Sequence, residues 1–131
     1  MKFILMMHTP YGTGDYDIFG WRQEDLDAHV AFLMKFNGEL KEKGQFVAVE
    51  ALAPPRDARI VRAGSGGKPI ITDGPFAETK EFLAGYWIID VANADEAYDI
   101  AGRASAAPGP GGVILNTPIE VRPVAAAPED D

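Results

Sequence analysis

No cysteine occurs among the 131 residues. That absence excludes disulfides, thiolate metal ligands and a cysteine nucleophile, and it fits a reducing, cytoplasmic setting. Basic residues are few: 12 Lys and Arg stand against 20 Asp and Glu, for a net charge of -8. Proteins that grip the phosphate backbone carry a basic patch, so no direct nucleic-acid contact is expected. Long apolar runs are missing as well. The opening MKFILMMHTP is too short for a signal-peptide core with its flanks. No stretch approaches the roughly 20 apolar residues that cross a bilayer, so no membrane association is expected. The two histidines form no His-x-x-x-His or His-Glu pair at ligand spacing, so neither a metal nor another cofactor is expected.

What is present is an ordinary globular composition, 47% hydrophobic and 24% charged, enough for one domain with its own core. The expected boundaries are a domain over residues 1–124 and a disordered acidic tail, AAAPEDD, over 125–131. KFILMMH (2–8) reads as a strand that is mostly apolar on both faces. Residues 9–21 form a Gly-rich loop with four aromatics. From Arg22 to Lys43, Leu26, Val30, Leu33 and Leu40 recur at helix spacing, widened by Phe32, Met34 and Phe36, and Gly44 is the expected stop. QFVAVEAL (45–52) is a strand ended by the Pro54–Pro55 pair. ARIVRA (58–63) and KPIIT (68–72) flank GSGG as a hairpin. LAGYWIIDV (83–91) is the clearest strand. Asn93, with Glu96 three residues on, opens a helix over 93–106. PGPGG (108–112) is a loop, and 113–124 is strand-like with a break near Pro118.

The order is β-α-β-β-β-α-β, a ferredoxin-like βαββαβ unit with an extra hairpin strand. Its fold class is α+β, with one sheet carrying two helices on one face. The strands 2–8 and 83–91 are apolar on both faces, whereas a sheet with one wet face alternates apolar and polar. A second copy of the sheet is the economical cover for the other face, so a homodimer is expected.

Between the hairpin and strand 83–91 lies DGPFAETKE (73–81). Asp73 suits a turn or cap, Gly74 an unusual dihedral, and Pro75 the first turn of a helix, with Glu78 near its positive end. A capped single turn accounts for most of these residues; the rim of a ligand site accounts for its rigidity and charge. The neighbouring AGSGGKP is a hairpin turn and not a phosphate loop, because Arg62 and Pro69 occupy positions where that loop needs Gly and Ser or Thr.

TDGPFAETKEFLAGYWIIDV (72–91) closely resembles the signature of the DGPF family, a branch of the YCII-related proteins. The likeness extends to MKFILMMH, to the stretch around VAVEALAPP, to ADEAYDIAGR and to IEVRPV. It implies a ferredoxin-like fold paired as a dimeric α+β barrel. It also implies a regulatory setting, since such proteins are often encoded beside extracytoplasmic-function sigma factors. Wider members carry a His–Asp pair, with the His on the first helix. His29 stands at what looks like that position, while RASAAPGPGG (103–112) holds no Asp. Asp73 is then the candidate partner. His29 also borders the apolar stripe, where a satisfied core histidine is the plainer reading.

Three functions follow as expectations. The first is a regulatory or accessory protein that binds an unknown small molecule through Asp73, Gly74, Pro75, Phe76, Glu78, Lys80 and Tyr86, with His29 and the 9–21 loop in the same cleft and an indirect link to a sigma factor. The second is a lyase or isomerase with His29 as general base and Asp73 as its catalytic partner, the two within one water of each other. The third is a structural dimer that binds a protein.

Overall fold

The computed structural model describes residues 1–10, 20–76 and 81–126. Six strands and two α-helices occur there: β1 (Lys2–Pro10), α1 (Gln23–Glu42), β2 (Phe46–Ala51), β3 (Arg59–Arg62), β4 (Ile70–Asp73), β5 (Glu81–Asp90), α2 (Ala94–Ser105) and β6 (Ile119–Pro123). Glu78, Lys80, most of the 9–21 loop and residues 127–131 of the expected tail lie outside the described residues.

The main sheet has the order β2-β5-β1-β6, antiparallel throughout. This is the ferredoxin-like arrangement, with both β-α-β crossovers split by a strand inserted between their ends. The expected hairpin is there as β3-β4 and forms a sheet of its own, so four strands separate the helices, one more than the order β-α-β-β-β-α-β counts.

Register sorts the side chains into two faces. Phe3 pairs with Ile89 and Leu5 with Trp87, and these four are buried in one core with Phe36 and Leu40 of α1 and Ala97, Ile100, Ala101 and Ala104 of α2. The alanines let α2 lie close on the sheet. Asn93 accepts the Glu96 backbone N–H at 3.0 Å, and the Glu96 carboxylate accepts the Ala92 N–H at 2.9 Å, so the expected start of α2 is a working cap. At the end of α1, Gly44 has φ 70°, and the N–H groups of Gly44 and Gln45 return to Lys41 and Leu40, closing a Schellman turn.

The stripe on α1 is narrower than expected. Val30 and Met34 are exposed, at 44% and 70%, because about 100° per residue carries Met34 to the far side of the helix from Phe36. The opposite face of the sheet carries Ile4 against Ile88 and Met6 against Tyr86, partly exposed and outside the core cluster. Glu50, Glu120 and Arg122 flank them on β2 and β6. No helix among the described residues is long and apolar enough to cross a membrane.

Candidate functional site

The face of the sheet beneath the helices runs out of side chains at one end. Along β5 the inward positions pass from Ile89 and Trp87 to Gly85, and along β2 from Phe46 and Val49 to Ala51. The space left becomes a cavity of about 770 Å³. Met7, Val49, Ala51 and Trp87 border it from the sheet, and His29 and Leu33 from α1. Pro110 and residues 115–118 close one side, and Trp21 and Thr9 line it from the ends of the Gly-rich loop. Its wall also includes His8, Glu50 and Tyr86, whose positions alternate to the other face of the sheet.

His29 is tied by its environment. Its Nδ1 lies 2.9 Å from the carbonyl oxygen of Pro108. A carbonyl only accepts, so Nδ1 carries the proton and Nε2 is the nitrogen left with a lone pair when the ring is neutral. The indole of Trp21 meets the imidazole edge to face, with centroids 5.3 Å apart. One turn earlier on α1, Asp25 accepts the Gly111 N–H at 3.1 Å. The two side chains, at i and i+4, therefore hold the loop between α2 and β6 against α1. Inside that loop, Leu115 N–H donates to Ala107, Asn116 N–H to Ser105, and the Ser105 hydroxyl to Thr117. Asn116 adopts a positive φ of 53°. Backbone bonds thus fix the wall that faces His29.

The structure does not bring His29 and Asp73 together. Asp73 ends β4 on the separate hairpin, with its side chain 96% exposed and the Arg59 guanidinium 3.8 Å away. No hydrogen bond or ion pair joins it to His29 among the described residues, and it does not line the His29 cavity. The Gly74–Pro75 bond is cis and residues 74–75 form a bend, while the capped turn expected to follow runs into residues 77–80, outside the described residues. Gly74 has a different reason to be glycine. Its N–H donates to Ala58 at 2.9 Å, and a Cβ there would stand 3.0 Å from the Ala58 carbonyl carbon. Pro75 borders a second depression of about 420 Å³, together with Leu52, Pro54, Pro55 and Phe82. Phe76 is 64% exposed. Of the expected ligand residues that the structure describes, Tyr86 alone lines the cavity of His29.

Trp21 ends the 9–21 loop that was expected in the cleft, whereas Glu50, Gly85 and Pro110 of the PGPGG loop escape a reading of the sequence. Gly85 had a signal, as the one residue without a side chain in an otherwise bulky strand. Asp25 and His29 had another, as two polar residues one turn apart on a helix. His8 bonds Glu120 at 3.0 Å on the exposed side of the sheet. No group of three or more His, Cys, Asp or Glu side chains that could hold a metal occurs among the described residues.

Residues 1–120 match the YCII-related domain. An uncharacterised protein of Rhizobium meliloti (strain 1021) is 39% identical over 106 residues, covering 80% of each chain.

Proposed function

The chain belongs to the YCII-related domain family, and on that premise we propose that it is a small-molecule-binding regulatory or accessory protein whose site is the cavity beside His29. One observation carries the reading: a cavity of about 770 Å³ bordered by a histidine whose Nδ1 is committed to the Pro108 carbonyl. Its volume lies in the range of ligand sites, about 300–1,000 Å³. Its walls combine aromatic rings with a few polar groups, His29, Asn116 and Thr117 among them. The residues DGPF at 73–76 support the DGPF branch of the family and, with it, a regulatory setting beside an extracytoplasmic-function sigma factor as part of this proposal.

The tautomer is directly measurable. In nitrogen-15 NMR of the neutral imidazole, the His29 Nδ1 is expected to be protonated and Nε2 bare. A metabolite that raises the melting temperature should also move the His29 ring signals. Hits that leave those signals in place would locate binding elsewhere.

The same proposal includes a homodimer. Ile4, Met6, Tyr86 and Ile88 form an apolar strip on the face opposite both helices, and a second copy set sheet to sheet would cover it. Light scattering is expected to give twice the 14.1 kDa chain mass, and Ile88→Lys to give a monomer. A monomeric wild type at micromolar concentration would remove the dimer.

A second reading is a lyase or isomerase in which His29 is the general base. The bond to Pro108 favours it, since it presents Nε2 as the proton acceptor. Asp73 does not line the cavity, and Glu50, the one acidic residue on its described wall, alternates to the other face of the sheet.

A further inference from the structure

The two ring nitrogens of His29 meet different surroundings. Nδ1 is taken up by the Pro108 carbonyl, 2.9 Å away. Pro108 is not part of the cavity wall, whereas the His29 ring is. Nε2 has no hydrogen-bond partner among the described residues, and in the neutral ring it is an acceptor. The wall on this side is largely apolar, with Trp21, Leu33, Val49, Trp87 and Leu115. Asn116 and Thr117 add polar groups that carry no charge. No lysine or arginine lies on the described wall. Its one acidic residue, Glu50, pairs with Tyr86 on the opposite face of the sheet and is exposed. His8 is bonded to Glu120 on that same outer face. The His29 side of the described wall thus offers an acceptor and no fixed charge.

We propose that the cavity takes an uncharged small molecule with an apolar body and one O–H or N–H group that donates to His29 Nε2. This rests on the reading of the cavity as the binding site and adds the chemical class of the ligand. A carboxylate or phosphate would meet a cation here only if His29 itself took up a proton, and an ordinary imidazole is largely neutral at pH 7.5. A protonated amine would leave water for an apolar wall without a counter-charge, and attraction to the tryptophan faces offsets only part of that loss. A neutral donor meets neither cost. It also satisfies Nε2, which a purely apolar ligand would strip of water and leave unpaired. Trp87 gives the body a fixed surface to pack on. Its Nε1 donates to Asn37 Oδ1 at 2.9 Å, and its ring stands edge to face with Phe36, centroids 5.8 Å apart.

The protein carries its own reporter. It has two tryptophans, and both line the cavity, so intrinsic fluorescence reads occupancy. Four probes with one body separate the cases at about pH 7.5, above the ordinary imidazole value: 2-phenylethanol, its methyl ether, phenylacetate and 2-phenylethylamine. The alcohol is expected to bind about three- to tenfold more tightly than the ether, the usual worth of one neutral hydrogen bond. It should exceed both charged probes by at least about tenfold. In nitrogen-15 NMR the alcohol should shift His29 Nε2 and the ether should not. His29→Phe should bring the alcohol to the level of the ether while the ether keeps its wild-type affinity, which shows the cavity intact. If that variant does not fold, the wild-type alcohol and ether decide. Equal binding of the two, or an alcohol preference that survives His29→Phe, would overturn the donor contact and leave the cavity as a binding site. Phenylacetate or the amine binding as tightly as the alcohol would overturn the uncharged class and again leave the cavity. No fluorescence change with any of the four would remove the cavity reading together with the inference.

Discussion

Phe36→Ala is expected to destabilise the protein by about 3–5 kcal/mol, the usual cost of truncating a fully enclosed aromatic. Phe36 is 2% exposed and lies where helix and sheet meet. Its ring stacks on Phe32 at 6.1 Å and meets Trp87 edge to face at 5.8 Å. The Arg103 guanidinium sits 5.2 Å above it and is paired with Glu39 of α1. Removing the ring opens a void against Trp87 and withdraws the surface on which Arg103 ties α2 to α1. A single domain is typically stable by only about 5–15 kcal/mol, so the variant should unfold at clearly lower urea. Met34→Ala, two residues earlier at a site 70% exposed, is the control and should change little. A loss below about 1 kcal/mol for Phe36→Ala, too small for a core cavity, would mean that the helices do not pack on the sheet as described.

Gly85→Val is expected to act on stability and on binding together. Gly85 is buried in β5 at the sheet side of the cavity. A Cβ there would stand 2.9 Å from the Glu50 carbonyl oxygen and 3.5 Å from the Ala51 Cα. Both are backbone atoms, so β2 must move away from β5, at a cost of about 1–3 kcal/mol as for other overpacked sites. The added methyl groups also occupy space next to Ala51 and Trp87. The variant should remain folded by circular dichroism, melt earlier, and lose the shift of the His29 ring signals that a binding metabolite causes in the wild type. A melting temperature and titration both equal to wild type would show that Gly85 neither supports the strand contact nor bounds the site.

Much of the fold is legible in the sequence because its signals are local. The two-sided apolar run of LAGYWIIDV, the Asn93–Glu96 spacing and the stop at Gly44 each act within a few residues, and β5, α2 and the end of α1 lie within a few residues of the expected places. The site is half legible. His29 and Tyr86 stand out by chemistry, and both line the cavity. The wall opposite His29 does not stand out, because residues 29 and 108 meet only after the chain has closed two crossovers. The proposed dyad with Asp73 has the opposite origin. DGPFAETKE reads as one contiguous device, yet β4 carries Asp73 out on the hairpin and β5 carries Glu81 into the main sheet. Neighbours in a motif are thus divided between two sheets.

The hairpin that divides them enters and leaves the main sheet at a single place. The Leu52 N–H donates to the Ala84 carbonyl at 2.8 Å, so the two roots of residues 53–83 are held side by side. The sheet order β2-β5-β1-β6 is complete without anything between those roots. In this sense the fold is host and guest. The host carries the core and the His29 cavity. The guest displays Val61, Ile70, Ile71 and Phe76, each more than half exposed, and hangs from a hydrogen-bonded port that does not register its length. Another loop spliced across Leu52 and Ala84 would meet the same port, which makes this junction the natural point for grafting a new recognition element without disturbing the sheet.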